Sequence, residues 1–171
     1  KIYTSEAKIK EDTDANKYFS IYWNSDDDFT APLTVGFDAG NNTAITALKY
    51  ERTTGAAQEV VIRTNGSTLE VNAPADTVSR YGVAASVKVT AVADNSYHEF
   101  GEVVGNIEVV KGRVEIAESA KVAAVVVTGD GVKVDVKNPE VKVNVKEGVT
   151  AEVTGVEQTS VKIVSTYDEL T

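Results

Sequence analysis

The sequence predicts an all-β fold, a short right-handed parallel β-solenoid with about 18–20 residues per coil. Three observations carry this. Strong β-forming pairs recur at Leu69/Val71, Val87/Val89, Ile107/Val109, Val125/Val127, Val143/Val145 and Val161/Ile163, in steps of 18, 20, 18, 18 and 18 residues. A strand, glycine corner, strand pattern repeats at the same step. It reads Val109 to Ile116 about Gly112, Val127 to Val134 about Gly129 and Gly131, and Val145 to Val149 about Gly148. The apolar content is also β-branched and small rather than aromatic, with 42% hydrophobic residues but only 7% Phe, Trp and Tyr. Such side chains pack in rows on stacked strands.

The elements follow in chain order. Residues 1–30 read as an N-terminal cap or pre-solenoid segment, and residues 31–171 as the solenoid, in a single domain. The first segment opens with charges (Lys1, Glu6, Lys8, Lys10, Glu11, Asp12, Asp14), passes through the aromatic run Tyr18-Phe19-Ser20-Ile21-Tyr22-Trp23 and then reads Asn24-Ser25-Asp26-Asp27-Asp28. A solenoid has to cover its first coil, because an open end exposes apolar interior and strand edges. Leu33 to Phe37 alternates with period two, and Ala44 to Arg52 reads as the next strand. Glu59 to Thr64, Asn65-Gly66 and Ser67 to Asn72 have the local text of a hairpin. The downstream repeats favour a coil corner there instead. A β-meander or sandwich is the alternative architecture. In each coil a first strand at the ladder pair is followed by a second after the corner. A third, weaker side is expected at Thr77-Val78, Ala120 to Val122 or Pro139 to Val141. Along the later strands Val132, Val134 and Val136 point in, and Lys133, Asp135 and Lys137 point out. Arg113 to Val122 reads as strand rather than helix, because Val114 and Ile116 alternate.

Composition narrows the function classes. The net charge is −9, which argues against binding nucleic acid or anionic lipid, since both need clustered Lys and Arg. The absence of cysteine removes disulfides, a thiol nucleophile and thiolate metal sites. No apolar run approaches the roughly 18 residues that suggest a spanning helix. The chain lacks methionine even at position 1, which suggests that it begins inside a longer gene product.

The candidate chemistry is sparse. His98, the single histidine, stands beside Glu99, but adjacent strand residues point to opposite sides, so the two are not expected to cooperate. Asp12, Asp14, Asp26 and Asp28 are the residues a calcium ion would take. An EF-hand loop fails at Lys17 and Trp23, however, where Gly and Glu are needed, so solvated carboxylates are the expectation. Outward Lys133, Asp135, Lys137, Lys142, Asn144 and Lys146 give a face of alternating charge, which discourages edge pairing. No phosphate loop or Gly-x-Ser-x-Gly motif occurs. No cofactor is expected.

The text Leu69-Glu70-Val71-Asn72-Ala73-Pro74-Ala75-Asp76-Thr77-Val78, followed by Ser96-Tyr97-His98-Glu99-Phe100-Gly101, resembles secreted or surface proteins of Gram-positive bacteria that carry parallel β-helix-like repeats. The resemblance spans about residues 60–127 and implies a surface location with no catalytic residues. The short coil also resembles the bactofilins, polymerising β-helical scaffolds, from which the acidic, aromatic N-terminal segment departs. The expected function is therefore a non-catalytic stalk, spacer or adhesive module of a secreted or cell-surface bacterial protein, with a surface or glycan partner. One alternative is a carbohydrate-binding module using Tyr18, Tyr22 and Trp23. A second is a polysaccharide-acting β-helix enzyme.

Overall fold

The computed structural model describes residues 47–94 and 96–163, together with two short N-terminal strands. Thirteen strands are present among these residues and no helix. They are β1 (Phe19–Tyr22), β2 (Leu33–Val35), β3 (Ala47–Glu51), β4 (Glu59–Ala73), β5 (Thr77–Val92), β6 (Tyr97–Glu99), β7 (Glu102–Val109), β8 (Arg113–Ile116), β9 (Lys121–Val127), β10 (Val132–Val136), β11 (Lys142–Lys146), β12 (Ala151–Thr154) and β13 (Gln158–Val161). Every pairing is parallel. Parallel neighbours cannot be joined by tight hairpins, so the chain winds on, completing about six turns of a β-solenoid.

Three faces follow from the register. The ladder face stacks Leu48, Leu69, Val87, Ile107, Val125 and Val143 in one row. Tyr50, Val71, Val89, Val109, Val127 and Val145 form a second row beside it. All twelve are buried. After the corner comes a second face, whose inward row is Val60, Val78, Tyr97, Val114, Val134 and Val153. A short third face aligns Ala84, Val103 and Val122. Each fully buried Val, Leu or Ile contributes about 1.5–3 kcal/mol, so the interior rows hold the stack together.

The predicted ladder matches as far as Val143/Val145, and its irregular step has a cause. The 20-residue step holds two bulges. One is Thr90, because Val71 and Val89 are partners while the next pair is Asn72 and Ala91. The other lies at Val104–Gly105, where β7 has one residue more than β5 or β9 between ladder and third-face partners. The second bulge pushes Val104 outward, 66% exposed.

Two expectations are corrected. Val161 and Ile163 do not continue the ladder: Val143 faces Gln158, Val145 faces Ser160, and Val161 stands opposite Lys146. The last turn passes from β12 to β13 through Gly155, Val156 and Glu157 alone, so it has no third side and closes three residues early. Thr77-Val78 is not a third side either. Its partners are Glu59-Val60 and, for Val78, Tyr97, which puts it on the second face. The corner before it is Pro74 to Asp76, not a glycine, which hid the equivalence. In contrast, Asn65-Gly66 lies inside the continuous strand β4, at a register shift against β5 and not at a hairpin turn. Val132, Val134 and Val136 are buried, whereas Lys133, Asp135 and Lys137 face outward.

Candidate functional site

Two buried ion pairs interrupt the aliphatic interior. The second inward row of the second face runs Ile62, Arg80, Glu99, Ile116 and Val136. Arg80 Nε lies 2.6 Å from Glu99 Oε1, and neither side chain is exposed. The other Arg80 nitrogens donate to the carbonyls of Tyr81, Gly82 and Glu102 at 2.9–3.0 Å. Glu99 also accepts from the Tyr97 hydroxyl at 3.0 Å and from the Gly101 amide at 2.9 Å. This is a fully satisfied knot at the turn from the second face to the third. Burial, and then the Glu99 charge, push the Tyr97 phenol well above its ordinary value.

The second pair joins Arg52 and Asp76 at 2.5 Å, again with both side chains buried. The Tyr50 hydroxyl donates to Asp76 Oδ2 at 2.7 Å, and the Gln58 amide donates to Oδ1 at 3.1 Å. Burial raises the Asp76 carboxyl against the pull of Tyr50 and Arg52, and burial followed by Asp76 raises the Tyr50 phenol. Both clusters are sealed from solvent and serve the fold. Sequence reasoning missed them although period two supplies the signal: with Val78 and Tyr97 inside, Arg80 and Glu99 also point inside.

The chemistry that faces solvent lies on the outer surface of the second face. Ser79, His98, Glu115, Asp135 and Thr154 form one outward row. His98 Nδ1 is 3.8 Å from Glu115 Oε2, while Glu99 points the other way into the core, as the alternation requires. Asp135 accepts from Thr154 Oγ1 at 2.9 Å, meets Lys137 Nζ at 3.1 Å, and has Arg113 Nη2 at 3.8 Å. Partial burial would raise its carboxyl, but the bonds from Lys137 and Thr154 outweigh that and hold it below the ordinary value. Such a carboxylate stays ionised, which suits an ion pair and not a proton donor. Glu115 and Asp135 are register partners on adjacent coils, the one carboxylate pair on this row.

Beside this row runs a stack of planar groups. Arg63 Cζ lies 4.8 Å from the Tyr81 ring centre. Tyr81 and Phe100 stack at 5.0 Å with 10° between planes, and His98 lies 6.3 Å from Phe100 at 14°. The order follows from the backbone. Arg63 pairs with Tyr81, the Phe100 amide donates to the Arg80 carbonyl, and the Ala117 amide donates to the Glu99 carbonyl. Phe100 is 37% exposed and, with Val104, is one of two large apolar side chains exposed among the described residues.

On the ladder face, Lys49, Glu70, Lys88 and Glu108 alternate in sign along one outward row. With Asn106 and Ile163 they help to line an open groove of about 720 Å³. Its acids are clasped by the following coil: Thr90 donates to Glu70 at 3.1 Å and Thr128 to Glu108 at 3.2 Å. The Thr154–Asp135 bond repeats this device on the second face.

The predicted binding residues are not brought together here. Tyr22 ends β1, which runs parallel to β3, but its side chain lies outside the described residues, as do Tyr18 and Trp23. Asp12, Asp14, Asp26 and Asp28 lie outside them too. Among the described residues no group of three or more His, Asp or Glu side chains could hold a metal ion. No helix among them is long and apolar enough to cross a membrane. Compared with protein families, curated proteins and solved structures, the chain matches none of them.

Proposed function

We propose that this chain is a non-catalytic structural and interaction module, a stalk or spacer segment of a secreted or cell-surface bacterial protein. One observation carries the reading: the interior rows keep their register from Leu48 to Val143, coil upon coil. A stack of this kind gains length without new topology, since each coil contacts only its neighbours. The outward acids support it further, because Glu70, Glu108 and Asp135 are each bonded to the next coil and tie the rod together. The negative charge and the lack of cysteine agree with a secreted, well-solvated protein.

The competing reading is a glycan-acting enzyme, for which Glu115 and Asp135 are the residues to test. Purified protein is incubated with pectin, alginate and cell-wall glycans, and products are followed by chain length and new reducing or unsaturated ends. No product is expected. Product that disappears in Glu115→Gln or Asp135→Asn replaces the stalk with an enzyme.

A further inference from the structure

We infer that the ladder face is a docking surface for a second copy of this chain, laid against it antiparallel. This goes beyond the stalk reading and does not depend on it. The groove on that face holds the outward row Lys49, Glu70, Lys88 and Glu108, one residue per rung. Rungs are about 4.8 Å apart, so the row is roughly 14 Å long. Its signs run plus, minus, plus, minus. Read from the other end they run minus, plus, minus, plus, so the row is the complement of its own reverse. That property selects one symmetry. Two copies of one face meet about a two-fold axis lying in the plane between them. An axis along the row sets each residue against its own copy, so every contact is between like charges. An axis across the row, midway between Glu70 and Lys88, sets Lys49 opposite the second copy's Glu108 and Glu70 opposite the second copy's Lys88. Every contact in the row is then between opposite charges. A polymer of uniform charge would instead meet its own sign at every second rung.

These groups have bonding capacity left. Lys88 is exposed and makes no ion pair among the described residues. Glu70 and Glu108 each accept from a threonine through Oε1, and Oε2 of each accepts no hydrogen bond among the described residues. An ionised carboxylate accepts through both oxygens, so the clasp and a cross-copy lysine can share it. Lys49 meets Glu51 at 3.0 Å and Glu70 at 4.0 Å, and its ammonium carries three donors. Beside the row, Ala47, Thr68, Ser86 and Asn106 are short and uncharged, so the two faces approach there without a like-charge contact. A strip this short makes a weak, salt-sensitive dimer, not an obligate one.

The test is sedimentation equilibrium of the whole chain at low and high salt, with charge-reversed variants whose folding is checked by circular dichroism. The wild type is expected to dimerise at low salt and to dissociate as salt rises. Lys88→Glu sets a glutamate against the second copy's Glu70, and Glu70→Lys sets a lysine against the second copy's Lys88. Each alone is expected to weaken self-association by about tenfold or more. An equimolar mixture of the two variants restores every opposite-charge contact and is expected to form a mixed dimer, as is the double variant with itself. A wild type that stays monomeric up to about 1 mM at low salt leaves the groove to another occupant and overturns the inference. So does association indifferent to salt, single variants that dimerise like the wild type, or a mixture that stays monomeric. None of these failures touches the stalk reading, which the glycan assays test separately.

Discussion

Arg80 and Glu99 occupy positions that neighbouring coils fill with Ile62, Ile116 and Val136. A buried pair of this kind contributes little net stability relative to aliphatic packing, but breaking it leaves an uncompensated charge. Glu99→Ile alone is expected to cost about 3–5 kcal/mol in urea melts. Arg80→Ile with Glu99→Ile is expected to cost less than Glu99→Ile alone. The residual loss comes from the Tyr81, Gly82 and Glu102 carbonyls, which lose their donor. A double variant costing the sum of the two single variants contradicts the pairing. The buried phenols predict a pH dependence. Tyr50 and Tyr97 keep their protons when folded and release them near pH 10 when unfolded, so the folded state binds more protons there. Stability is then fully present below pH 10 and falls above it, by about 1.4 kcal/mol per unit for each tyrosine. Melts between pH 8 and 11 should show the fall, and Tyr97→Phe should reduce its slope. An unchanged slope in that variant contradicts the burial of the phenol.

At the scale of elements, corners decide where strands turn, and they are not equivalent. Gly112 has φ +107°, and a Cβ there would lie 2.3 Å from the Val92 carbonyl oxygen of the coil below. Gly131 has φ +77° but open space around it. Gly131→Ala therefore bears only the backbone strain, about 1–2 kcal/mol. Gly112→Ala bears that and a backbone clash, and should cost more; equal melting temperatures for the two would contradict the stacked corner. The sequence made the first-face strands legible because β-branched pairs recur wherever the chain returns to that face. It obscured the third face, whose inward positions include Ala84, a residue that alternation alone does not mark. It misled at Val161 and Ile163, where an 18-residue interval arises by coincidence in a turn that lacks the third side. The candidate site was half visible. His98 and the outward Lys133, Asp135 and Lys137 follow from alternation. The Tyr81–Phe100 stack needs the register, because its partners are 19 residues apart on different coils.

In the whole molecule the coil is the unit of structure, and 18 residues make one in three of the six ladder steps from Leu48 to Gln158. From Ile107 to Val145 coil length holds at 18 although its division varies. Val109 to Val114 spans five residues and Val127 to Val134 spans seven, yet both coils advance the ladder by 18. Deleting residues 107–124 joins Asn106 to Val125 and brings Val125 onto Val87 and Val134 onto Tyr97, so the ladder and second-face rows close over the gap. Deleting nine residues, 107–115, breaks the register of every face. The direct measurement is a paired comparison of these two deletions by urea melts and small-angle X-ray scattering. The solenoid predicts that the 18-residue deletion still unfolds cooperatively and is shorter by about one rung, roughly 4.8 Å, while the nine-residue deletion loses the transition. Equal damage from both deletions would contradict the stacked coil.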